Sequence, residues 1–232
     1  MKYTYLLIDF FTIIVPFIFS FHPKLNFYKT WKAFFPAVIL TGLIFIIWDV
    51  YFTSIGVWGF NEQYLIGSRL LNLPIEEILF FFCIPYACVF TYHCLDIFIK
   101  HTLTKKIESI FTVMLIICLI LGGLMSHDNI YTTVTFFGLS AILLIAKYIL
   151  KISWLAKFYI IYTVLLFPFI IVNGLLTGTG LENPVVWYNE AEILGFRILT
   201  IPIEDVFYGM GLIFINLLLY KYFIALTERK SI

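Results

Sequence analysis

The chain has 232 residues, of which 62% are hydrophobic and only 12% charged, against ~45–50% and ~25% in soluble domains. A surface that apolar has lipid as its solvent, and a net charge of +1 gives no reason to expect nucleic acid or a strongly acidic partner. No stretch is polar enough to build a separate soluble domain.

After Met1 and Lys2 comes an apolar run over 3–21. It is longer than the ~7–15-residue core of a secretion signal and no small-x-small cleavage site follows it, so it reads as a retained first span. Six further runs lie at roughly 33–52, 73–99, 109–125, 130–150, 156–176 and 201–223, and ~17–25 such residues cross a bilayer. The fourth run is the shortest. In lipid each backbone polar group must bond within its own segment, so the spans are helices. The expected fold is therefore all-α, an integral membrane protein with seven transmembrane helices.

Charge orients the series. The N-terminus and the connections after spans two, four and six carry Lys2, Arg69 and Arg197. The other connections and the C-terminus carry the remaining twelve basic residues, from Lys24 to Lys230. The positive-inside rule makes this second set cytoplasmic, with the N-terminus outside, in a multi-pass protein of the cell membrane. The bias requires an odd number of spans.

A duplication crosses this pattern. VWGFNEQYLIGSRLLNLPIEEILFF from Val57 aligns without a gap with VVWYNEAEILGFRILTIPIEDVFYG from Val185, at an offset of 128 residues, with nine of 25 positions identical. Chance gives about two at common residue frequencies of ~7%. Four spans separate the copies, so the repeat is parallel, and a site is expected at its interface. The units are 1–108 and 130–232, each with three helices, and 109–129 is a linking helix.

The duplicated acids are Glu76-Glu77 and Glu204-Asp205, each pair following a proline. Helix capping is the plainer reading of one such pair. Its duplication beside Asn61 and Asn189, and beside Arg69 and Arg197, favours a shared site. Four close carboxyls cannot all ionise, which leaves acids beside bases, the pattern for proton chemistry on a neutral substrate. Arg69 and Arg197 either hold the ionised members or snorkel to water. Phe80, Phe81, Phe207 and Tyr208 follow the acids and suit a cation-stabilising lining or a membrane-interface belt. Asp9, Asn173 and Asn216 are expected to make interhelical hydrogen bonds. Cys83, Cys88, Cys94 and Cys118 and the scattered histidines show no ligand spacing, so no metal is expected, and no nucleotide or phosphate motif points to a cofactor.

Trp48-Asp49, GVWGFNEQY from Gly56, LPIEEILFF from Leu73 and PVVWYNE…LGFRILTIPIEDVFYG from Pro184 resemble one family. It is the integral-membrane lycopene β-cyclases, which are two small polypeptides in some organisms and one fused chain in others. The resemblance implies cofactor-independent cyclisation of the ψ-ends of lycopene to β-ionone rings through a carbocation, an intramolecular lyase or isomerase reaction. Catalysis then falls to Glu76, Glu77, Glu204 and Asp205. Substrate binding falls to Asn61, Asn189, Arg69, Arg197 and the four aromatics. Lycopene and membrane lipid are the implied partners, with room for association with other carotenoid enzymes. A carotenoid hydratase on the same substrate class and a non-enzymatic membrane transporter are the alternatives. A retinal protein would have to use Lys221, the one lysine of the seventh span.

Overall fold

The computed structural model describes residues 2–100 and 102–229. Lys230 and the C-terminal end of the inward charge set lie outside the described residues, as does His101. The described residues form seven α-helices: α1 Thr4–Phe19, α2 Trp31–Ser54, α3 Ile75–Phe98, α4 Lys105–Met125, α5 Ile130–Leu144, α6 Leu155–Leu176 and α7 Ile203–Arg229. α5 continues into a π turn over Ile145–Ile149.

Six of these helices, α2 to α7, are long and apolar enough to cross a membrane. α1 is apolar but has 16 residues, which gives it a length of ~24 Å. Counted with its π turn, α5 has 20 residues, so the shortest apolar span is the first and not the fourth. α4 has 21 residues because its first turn takes in Lys105, Lys106 and Glu108, which an apolar run leaves out. Thr104 caps that turn by accepting from Ile107 N.

Connections expected as plain loops contain six short strands: β1 Trp58–Phe60, β2 Arg69–Leu70, β3 Leu73–Pro74, β4 Val186–Tyr188, β5 Arg197–Ile198 and β6 Ile201–Pro202. β2–β3 and β5–β6 are two tight hairpins, one before α3 and one before α7. β1 pairs antiparallel with β4, with Trp58 opposite Tyr188, Gly59 opposite Trp187 and Phe60 opposite Val186. Gly59 therefore faces the residue 128 positions later, its own counterpart in the sequence alignment. A Cβ on Gly59 would lie 2.3 Å from the Trp187 ring, so only one of these two positions has room for a side chain.

α1 lies along α3, and α5 along α7. α2 has a long contact with α7, and α4 stands outside against α5. The main core holds aromatic rings from α2, α3, α6 and α7, among them Phe34, Tyr86, Phe158 and Phe214. A second cluster gathers under the β1–β4 ribbon around Tyr5, Phe52, Trp58 and Tyr131.

Candidate active site

Both motif copies fold alike. Asn61 Oδ1 accepts from Gln63 N and Asn189 Oδ1 from Ala191 N, each at 3.1 Å, capping two short 3-10 turns. Gly67 and Gly195 follow with φ of 98° and 78°, a region that side chains resist. The hairpins turn through Leu71 and Leu199, at φ 58° and 57°, where a non-glycine residue costs ~1–3 kcal/mol. An arginine clasps each turn: Arg69 Nη1 donates to Asn72 O and Arg197 Nη1 to Thr200 O, both at 2.7 Å. Their other terminal nitrogens pair with Glu62 and Glu190. Asn61, Asn189, Arg69 and Arg197 thus build the loops that lead into the helices.

The adjacent acids of each motif then diverge, because consecutive helical residues point ~100° apart. The first acid turns back to its loop. Glu76 Oε1 accepts from Ile66 N at 2.7 Å, and Glu204 Oε1 accepts from Leu194 N at 2.6 Å and from Thr132 Oγ1. The second acid turns to the interior. Glu77 Oε2 accepts from Tyr5 Oη at 2.5 Å. Asp205 accepts three hydrogen bonds, from Tyr131 Oη at 2.7 Å, Asn173 Nδ2 at 2.8 Å and Tyr188 Oη at 2.9 Å. A third carboxyl joins them: Asp49 Oδ1 accepts from Trp58 Nε1 at 2.5 Å, and its Oδ2 has no hydrogen-bond partner among the described residues.

Glu77, Asp205 and Asp49 all line one cavity of about 630 Å³. Phe80 and Tyr208 line it too. Phe81 packs instead with Phe45 and Leu212, and Phe207 stands edge-on to Phe136 at 5.1 Å between ring centroids. Glu76, Glu204, the two asparagines and the two arginines stand off the lining. Tyr188, on the loop strand, has its pKa pushed well above the ordinary tyrosine value, first by burial and then by the Asp205 carboxyl beside it. Its hydroxyl therefore stays a neutral donor.

Tyr5, Tyr131 and Trp58 were not legible as site residues in the sequence. A tyrosine early in both the first and the fifth helix is the available signal, but the two are 126 residues apart and so fall out of the 128-residue register. Asn173 makes the expected interhelical bond, and its partner is Asp205. Asp9 and Asn216 depart from expectation: both are buried, and their side-chain polar atoms find no hydrogen-bond partner among the described residues. Lys221 lies away from the cavity, its ammonium 5.0 Å from the Tyr92 ring centre and 5.4 Å from that of Trp154.

Fold and cavity together define a multi-span membrane protein with three buried carboxyls and several phenols facing an apolar chamber, the equipment for acid–base work on a lipid-soluble molecule. The chain belongs to the lycopene cyclase family, whose model matches it over residues 2–95 and 128–223. It is also 36% identical over 45 residues to a bifunctional lycopene cyclase/phytoene synthase of Phaeosphaeria nodorum, a match that covers 19% of this chain and 8% of that protein. No solved structure matches significantly. Family membership supports enzymatic activity.

Proposed function

We propose that the protein is a lycopene β-cyclase that works by acid–base chemistry without a cofactor. The observation that carries this reading is the pairing of Glu77 and Asp205 in one apolar chamber with unequal hydrogen bonding. Three donors suit Asp205 to the ionised form. Glu77 has one hydrogen-bond donor among the described residues, Tyr5, and is the member suited to carry a proton. Glu77 protonates the terminal double bond of a ψ-end and leaves a tertiary cation. The neighbouring double bond attacks that cation and closes the six-membered ring, which moves the positive charge to a ring carbon. Asp205 faces this charge and takes the adjacent ring proton. One proton is given and one removed, so the net reaction is isomerisation. The faces of Phe80 and Tyr208 attract the cation. Glu76 and Glu204 are positioning residues that fix the loops over the site.

We infer further that all seven helices span the membrane as two parallel units, 1–108 and 130–232, with the N-terminus outside and the C-terminus cytoplasmic. The pairing of β1 with β4, in which Gly59 faces its own counterpart Trp187, is what two like units meeting on a two-fold axis along the membrane normal would give. Cysteines placed near Asn61 and Glu190 are then both labelled from outside, and one at Lys105 is not.

Expression in a lycopene-accumulating host tests the activity. Lycopene is expected to give way to β-carotene or its one-ring precursor at unchanged mass. A product heavier by one water marks a hydratase. Unchanged lycopene in cells that hold inserted protein counts against both.

A further inference from the structure

The cavity is not walled on every side. Leu7 and Phe11 of α1 line it, as do Ile171 and Leu175 of α6. Yet all four are exposed, Phe11 at 67% and Ile171 at 53%. α1 and α6 touch only sparsely, whereas α2 lies along α7. The chamber therefore opens sideways between α1 and α6, toward the lipid, while the β1–β4 ribbon roofs its acidic end with Trp58, Phe60, Val186 and Tyr188.

Phe81 of α3 is buried between Phe45 of α2 and Leu212 of α7. The position 128 residues later is Gly209, on the lining of the cavity. A Cβ there would already lie 3.6 Å from the Phe169 ring and 3.6 Å from the Tyr162 hydroxyl. A ring at 209 would occupy the chamber.

Size limits what enters. A chamber of about 630 Å³ lies within the ~300–1,000 Å³ of small-molecule pockets. An extended linear carotenoid is of the order of the ~30 Å bilayer core in length. Asp49, Glu77 and Asp205 line this chamber, so an end group that enters from the lipid side meets the carboxyls.

We propose that the linear carotenoid enters end first from the lipid through the mouth between α1 and α6 and sets one end group against Asp49, Glu77 and Asp205. This rests on the lycopene reading above.

The test uses the full-length protein in membranes containing isotopically labelled lycopene, with rates taken per amount of inserted, folded protein as judged by thermal melting. Wild type is run first: no cyclisation overturns the lycopene reading and this inference together. Leu7→Trp and Ile171→Trp narrow the mouth without touching a carboxyl, and Ile47→Trp and Ile117→Trp change lipid-facing positions of α2 and α4 that are 70% and 50% exposed. The mouth variants are expected to lose at least about tenfold in initial rate, the scale on which apolar fit discriminates, with the other two within about twofold of wild type. If the mouth variants match the α2 and α4 variants, the lateral route falls while the activity stands.

Discussion

The two motif copies begin as the same structure and end in different surroundings. Through the capped turn, the positive-φ glycine, the strained leucine and the arginine clasp they match residue for residue. At the second acid they part. Among the described residues Glu77 accepts from Tyr5, whereas Asp205 accepts from Tyr131, Asn173 and Tyr188. Four residues on, Phe81 fills space and Gly209 leaves it. Duplication supplies a carboxyl at the same place in each copy, Glu77 and Asp205; their unequal surroundings are what the proposed division into acid and base rests on.

The sharpest way to break this comparison is to neutralise the inner acids. Glu77→Gln and Asp205→Asn keep the shape but remove the titratable group, and each is expected to lower turnover by ~10²–10⁴-fold. Product per inserted protein measures it. Near-normal rates in both would move the chemistry elsewhere, with Asp49 the first place to look.

Donor removal probes the inequality itself. Hydrogen bonds to a charged group contribute ~1.5–3 kcal/mol, so Tyr188→Phe or Asn173→Ala is expected to cost ~10–100-fold in turnover. A rate gain would mean that Asp205 works protonated. Since the pKa of Tyr188 is raised, its neutral donor form is fully present below the ordinary tyrosine value of ~10 and is lost only as pH rises through the folded value. No alkaline loss of rate below that range is expected from Tyr188, as a pH profile of wild type against Tyr188→Phe would reveal.

The contact between β1 and β4 can be tested sterically. Gly59→Ala puts a methyl against Trp187 and is expected to destabilise by ~1–3 kcal/mol, the usual scale of overpacking. Trp187→Gly in the same chain should restore the melting temperature if the clash is the cause.

The smallest effects are expected where the copies agree. Glu76→Gln and Glu204→Gln retain an oxygen for the loop N–H and should hold turnover within a few-fold. Arg69→Gln and Arg197→Gln break half-exposed ion pairs whose contribution is ~0–1 kcal/mol, so faster proteolysis of the hairpins should exceed any change in rate. A hundredfold rate loss in any of these four would place the outer shell in the chemistry.

What the sequence alone determined is what local order controls. Long apolar runs dictate lipid-solvated helices, because backbone groups in lipid must bond within their own segment. The proline before each acidic pair sets both pairs at helix starts, and the nine identities at an offset of 128 residues reveal that the loops are alike. Tertiary structure decided the rest. Glu76 and Glu77 are equivalent in a sequence, and only the helix phase against its neighbours sends one to the loop and the other to the chamber. Tyr5 meets Glu77 across 72 residues, and Tyr131 meets Asp205 across 74. Whether the space beside each acid is full or open depends on how α2 and α6 pack against their partners. Those contacts follow from the shapes of side chains distant in the chain, which hydropathy and motif spacing do not encode.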